Sequence, residues 1–207
     1  MDHRMTIALD GPAGAGKSTI ARLLARRLNI LYLDTGAMYR AVGLKAIRSD
    51  VSVRDEMAVA AMLEHTVLEI VFQDTSQHVL LDGEDVSDAI RTPEASIAAS
   101  DVSALPAVRL ALVRMQREIA ARQPLILDGR DIGSYVLPDA PYKFFLTADP
   151  AERARRRLLD LQARGDQTTT FAQVLQDIEY RDRQDSSRSL APLCQAADAI
   201  LIDTTHL

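Results

Sequence analysis

Apolar and polar residues alternate in two rhythms along the first third of the chain. Thr6–Asp10 (TIALD) is a short apolar run closed by a carboxylate and reads as a strand. From Lys17 to Asn29 the apolar residues Ile20, Leu23, Leu24 and Leu28 fall on one face at helical spacing. Ile30–Asp34 (ILYLD) repeats the strand pattern, and Gly36–Ile47 repeats the helical one through Met38, Val42 and Lys45 or Ala46. Strand and helix in alternation predict a parallel sheet. The rhythm then changes. Thr66–Gln73 and His78–Asp82 are rich in β-branched and large apolar residues and flank the polar stretch DTSQ, which predicts a hairpin or small antiparallel sheet in an inserted lobe over 64–92. Pro106 opens a helix that runs to about Arg122. Leu125–Asp128 and Lys143–Ala148 read as buried strands, Pro150–Ala163 and Phe171–Ser187 as helices, and Ala199–Asp203 as a last strand. The polar, glycine-containing stretch 164–170 between the two helices reads as a mobile loop. The expectation is an α/β fold with about five parallel strands.

With 207 residues, 47% hydrophobic and 26% charged, the chain has the balance of one globular domain. Its single cysteine, Cys194, excludes an internal disulfide and a multi-thiolate metal site, and is expected to pack rather than react. His3, His65, His78 and His206 are scattered and suggest no metal centre. No apolar run approaches membrane-spanning length, and the opening MDHRMTIALDG lacks a signal-peptide stretch, so a cytoplasmic monomer without a membrane partner is expected. A net charge of −5 argues against a general nucleic-acid binder. The cations are almost all arginine; Lys17, Lys45 and Lys143 are the lysines. Codon usage is the bland source of that bias and bidentate binding of phosphate or carboxylate the functional one, so position must decide.

The strongest chemical signal is Gly11-Pro12-Ala13-Gly14-Ala15-Gly16-Lys17-Ser18, followed by Thr19, which fits G-x-x-x-x-G-K-[ST] between a strand and a helix. Glycines there let backbone N–H groups close around phosphate oxygens, and the helix amino terminus adds positive potential. Lys17 is placed to reach the β- and γ-phosphates of ATP, and Ser18 to ligate Mg²⁺. Asp128, at the end of an apolar strand, is the candidate second carboxylate on the metal side.

A phosphate loop serves switches and motors as well as small-acceptor kinases. The guanine-reading string N-K-x-D and the string D-x-x-G of a GTPase switch are both missing. A kinase needs a second phosphate site and a cationic lid, and three stretches offer them. Thr35 can cap a helix with Arg40 about one turn along it, a plausible phosphate clamp. Arg153 and Arg157 share a helix face just before the polar loop, within reach of a transferring phosphoryl group, whereas Arg155 and Arg156 read as a solvated face. Arg181, Asp185 and Arg188 form one stripe on the next helix. A kinase for AMP or shikimate and a nucleotide-sensing switch remain the alternatives.

Taken together, GPAGAGKST, LDTGAMYR, DGEDVSDAIRT, ILDGRDIG, PDAPYKFFLTA, ERARRR and RDRQDSSRSLAPL closely resemble the bacterial-type cytidylate kinases over nearly the whole chain. The resemblance implies a three-layer phosphate-loop kinase fold with a core over 1–63, 93–152 and 189–207, a monophosphate-binding lobe over 64–92 and a helical lid over 153–188. It implies transfer from ATP·Mg²⁺ to CMP or dCMP. It also implies that Thr35, Arg40, Ser100, Arg109, Arg130, Asp131, Arg181, Asp185 and Arg188 hold the monophosphate, with Asp131 and Ser100 facing the cytosine amino group, Arg109 its ring acceptors, and Arg181, Asp185 and Arg188 the sugar. From their own surroundings in sequence, Ser100 and Arg109 would read only as helix-surface residues. Thr35 stands where the family also uses serine, which keeps the hydroxyl. The family continues into a carboxy-terminal helix after the last strand, and these residues stop short of it.

Overall fold

A computed structural model describes residues 5–73 and 76–207. Asp74 and Thr75 of the expected DTSQ turn, and the amino-terminal residues through His3 and Arg4, lie outside the described residues. The first strand, β1 (Thr6–Asp10), leads through the phosphate loop into α1 (Lys17–Leu28), whose last turn closes on Asn29 in a left-handed conformation. β2 (Leu31–Asp34) and α2 (Thr35–Arg48) follow. The cap of α2 is Asp34, whose carboxylate accepts from Ala37 N, and not Thr35 as its position suggested; a carboxylate one residue earlier reaches the free N–H groups first.

Two helices escape the apolar periodicity. α3 (Glu56–Glu64) starts from an Asp55 cap, and α4 (Pro93–Val102) from a Thr92 cap followed by proline. Most of α4 from Ala95 onward is alanine and serine, so it has no apolar stripe to read, yet seven of its ten residues are buried. Between them β3 (Leu68–Gln73), β4 (Ser76–Leu81) and the short β5 (Glu84–Asp85) make an antiparallel sheet in that order. Then come α5 (Pro106–Ala120), β6 (Leu125–Gly129), a single π-helical turn over Ile132–Val136, β7 (Tyr142–Thr147), α6 (Pro150–Ala163), α7 (Phe171–Ser187) and β8 (Ile200–Asp203).

β1, β2, β6, β7 and β8 form the five-stranded parallel sheet that the alternation predicts, in the order β2-β6-β1-β7-β8. Both faces of its centre are covered, as parallel sheets require. Ala8, Leu33, Leu125 and Leu127 point to the layer of α2 and α5, while Ile7, Leu9, Tyr32 and Ile126 point to the layer of α1. A smaller cluster of Ala154, Leu161, Val174 and Ile178 joins α6 to α7.

The 164–170 stretch has internal order. Asp166 accepts from Thr168 N and Oγ1 and from Thr169 N and Oγ1, which holds its carboxyl below the usual range, and Thr170 and Gln173 form a reciprocal cap on α7. Cys194 is exposed between α7 and β8, so it does not pack.

Candidate active site

The carboxyl ends of β1, β6 and β2 open side by side, and a cleft of about 520 Å³ lies along them, where open α/β sheets bind ligands. One wall is the phosphate loop. Gly11, Gly14 and Gly16 have φ of 141°, 79° and 85°, and a Cβ on Gly11 would stand 1.9 Å from Leu146 O, so these positions demand glycine. Gly16 caps α1 without any side-chain acceptor, leaving backbone N–H groups for an anion. Lys17 is buried and donates to Pro12 O at 2.8 Å. Burial, and then Arg130, bring its pKa down to about 7, with Asp128 and Asp10 working the other way.

Ser18 and Asp128 come together as expected. The Ser18 hydroxyl donates to Asp128 Oδ2 at 2.7 Å, and Tyr32 donates to the same oxygen at 2.9 Å. Burial, then the nearby Asp34 carboxylate, pushes the Asp128 carboxyl up. Hydroxyl and carboxylate oxygens of this kind fit a hard divalent cation. Among the described residues no group of three or more His, Cys, Asp or Glu side chains could hold a metal.

The opposite wall is built from α2, α4, α5, the loop after β6, and α7. Thr35 donates to Asp128 O at 2.7 Å, and Arg40 donates to Asp34 at 2.7 Å. Asp185 sits at the centre of a buried cluster: it accepts from Arg130 at 2.7 Å, from Ser100 at 3.2 Å and from Arg188. Burial opposes its charge, but Arg130, Arg188 and Arg181 outweigh that and hold its carboxyl below the usual range. Arg181 has burial and then Arg130 against it, which brings its pKa down to about 10. Its Nε and those of Arg40, Arg109 and Arg188 are buried without acceptors. Arg109 is fully buried, pairs with Asp131 and lies over the Tyr39 ring at 5.7 Å. Burial outweighs that pairing, so the Asp131 carboxyl is raised.

Ser100 and Arg109 are therefore interior residues, not helix surface, because their helices turn those positions toward the cleft. Arg157 lines the cleft as expected, half-buried. Arg153 does not. Its guanidinium turns under the phosphate loop, donating to Ala148 O and Ala13 O and to both oxygens of Asp182, because buried acceptors surround it there. Arg155 is exposed on Glu152, as a solvated residue should be. Arg156 departs from that reading: it is half-buried, bonds Glu152 and Thr204, and borders the cleft.

Several residues with defined places had no local signal. Arg22, Arg91 and Arg164 line the cleft. Asp10, the last residue of β1, is 3% exposed and accepts Ile132 N and Gly133 N at 2.8 Å each, tying the phosphate-loop strand to the segment after Asp131. Its position at a strand end beside the glycine loop was visible; its partners, more than a hundred positions away, were not.

A family model described as cytidylate kinase matches residues 7–207. The cytidylate kinase of Caldicellulosiruptor saccharolyticus is 50% identical over 204 residues, covering 99% of this chain and 90% of that protein. Those of Desulfitobacterium hafniense and Lactobacillus gasseri are 49% and 48% identical over 207 residues, covering all of this chain and 88% and 90% of theirs. With the phosphate loop, the Ser18–Asp128 pair and the arginine-lined wall in one cleft, the chain belongs to the cytidylate kinase family.

Proposed function

We infer that the protein transfers the γ-phosphoryl group of ATP to CMP or dCMP, giving ADP and CDP or dCDP. The observation that carries this reading is one cleft with a phosphate loop on one wall and, on the other, buried guanidinium groups with unmet N–H donors around Asp131 and Asp185. The loop N–H groups and Lys17 hold the triphosphate. Ser18 and Asp128 would hold Mg²⁺, which would supply charge neutralisation to the triphosphate.

Arg40, Arg130, Arg157 and Arg181 influence one another's charge across the same space, so together they are suited to acceptor and transferring phosphates. A phosphate oxygen of CMP forms the new bond to the γ-phosphorus while the bond from phosphorus to the bridging oxygen of ADP breaks. The attacking CMP oxygen is already anionic, so no side chain need take a proton. Asp131, beside Arg109 and with Ser100 nearby, suits a base with an amino donor next to ring acceptors, which is cytosine. Asp185, with Arg181 and Arg188, suits the sugar hydroxyls. The work of the protein is alignment and charge stabilisation.

A coupled assay for ADP release, run with CMP, dCMP, UMP, AMP and shikimate, tests this. CMP and dCMP are expected to turn over well above the others. ATP binding without acceptor-dependent ADP release would refute the reading. Lys17→Ala is expected to lower turnover at least about a hundredfold.

A further inference from the structure

Arg153 is 3% exposed, and four of its five N–H directions are engaged. Nε donates to Ala148 O at 2.9 Å, just past the end of β7. Nη1 donates to Ala13 O of the phosphate loop at 3.1 Å. The two terminal nitrogens also grip both carboxylate oxygens of Asp182, at 3.1 and 2.7 Å. The loop lies directly on this residue: a Cβ added to Gly14, at φ +79°, would meet Arg153 Cβ at 2.9 Å. Asp182 belongs to α7, next to Arg181 and three residues before Asp185. Neither Arg153 nor Asp182 borders this cleft, although Arg153 also lines a second, smaller cavity with Ala148, Asp149 and Thr205. The planar fork thus ties the loop that takes ATP phosphates to the helix that presents Arg181 and Asp185, alongside the apolar packing of α6 on α7. Lysine cannot do this, because one ammonium cannot span the Ala148 and Ala13 carbonyls and two carboxylate oxygens at once.

We propose that Arg153 and Asp182 are a positioning pair that sets α7 in fixed register with the phosphate loop, aligning the acceptor side of the cleft with the triphosphate. The pair acts through Ala13 on one side and Arg181 and Asp185 on the other. The proposal rests on the kinase reading. Absence of CMP turnover by the unaltered protein would sink that reading, whereas the variants below test only the pair.

Asp182→Asn keeps the shape but replaces one acceptor with an amide that faces the guanidinium donors. With native folding verified by circular dichroism, kcat is expected to fall at least about tenfold, because sub-ångström to ångström misalignment acts on the reacting geometry. The Kd of ATP measured without CMP is expected to stay within about threefold, since every group on the triphosphate is retained. Arg153→Lys is expected to reproduce the fall in kcat, and the double variant to be no slower than Arg153→Lys alone, as for two residues in one network. Unchanged kcat in Asp182→Asn beside a large loss in Arg153→Lys would overturn the proposal, as would losses that multiply in the double variant. A lowered melting temperature with kcat intact would also overturn it, leaving the pair a stabilising contact only. Should Asp182→Asn fail to fold, Asp182→Glu, which keeps the charge but lengthens the bridge, carries the test: a several-fold lower kcat supports the pair and an unchanged kcat refutes it.

Discussion

Asp131 and Arg109 pair in a wall where both are almost wholly buried, so removing one has two consequences that must be separated. Asp131→Ala strands a buried guanidinium, a cost felt with any acceptor. It also removes the group suited to accept from the cytosine amino group, a cost felt only with CMP. KM for CMP is therefore expected to rise about tenfold more than KM for UMP, the worth of a hydrogen bond to a charged group. Equal losses with both would disprove the base-reading role. Asp10 offers a second test. Burial raises its carboxyl from the ordinary 3.8 to about 6, against the two N–H bonds from Gly133 and Ile132 that favour the ionised form. Between those values the folded protein holds a proton that the unfolded chain has released, so this group makes stability fall as pH rises toward 6. Asp10→Asn removes that slope. It also leaves one of two N–H groups without its acceptor, at about 1–3 kcal/mol. In urea denaturation the variant's deficit should thus be largest near pH 4 and shrink by up to about 3 kcal/mol toward pH 7. A deficit independent of pH would show that Asp10 titrates normally. Neither the burial of Arg109 nor that of Asp10 is legible locally: an arginine on a helix and an aspartate at a strand end read alike whether exposed or enclosed.

At the level of elements, the walls of the cleft are set by how closely helices approach. Gly43 of α2 lies against α4, where a Cβ would meet Ala98 Cβ at 2.9 Å and the Ala98 and Ala99 backbone at 3.1 Å. Gly43→Ala gains about 1 kcal/mol of helix propensity. Backbone atoms cannot step aside, and overpacking costs about 1–3 kcal/mol, so the net effect is expected to be destabilising. Because α2 carries Thr35 and Arg40 and α4 carries Ser100, KM for CMP should rise with the lost stability. A variant more stable than the parent in urea denaturation would refute the close approach. The elements themselves were mostly legible. Strands and helices around the phosphate loop fall within a residue or two of their predicted bounds, because each has a contiguous apolar pattern and a local stop signal. α4 was not legible by periodicity, since its buried residues are small, although Thr92-Pro93-Glu94 carries the signature of a helix start. Polarity and a glycine predict only a loop over 164–170, whereas the hydrogen bonds by which Asp166 closes it depend on the folded turn.

On the scale of the whole molecule, the net charge of −5 and the arginine-lined cleft make opposite demands on an anionic substrate. Screening extends over about 10 Å at 0.1 M salt, so local guanidinium groups outweigh distant carboxylates. KM values for ATP and CMP are accordingly expected to rise as ionic strength increases from about 0.05 to about 0.5 M. A fall in KM would mean that bulk repulsion governs encounter and that the cleft cations are already satisfied. What the sequence by itself determined is whatever depends on neighbours along the chain: the alternating parallel architecture, the glycine loop with Lys17 and Ser18, and the placing of Arg181 and Asp185 on one helix, with Arg188 just past its end. Tertiary structure alone decided which arginines face substrate space and which, like Arg153, are spent holding the walls together. The physical reason is that a guanidinium follows the acceptors around it, and those acceptors, Ala13 O and Asp182 for Arg153 and Asp131 for Arg109, come from segments that meet only when the sheet and the helices have packed.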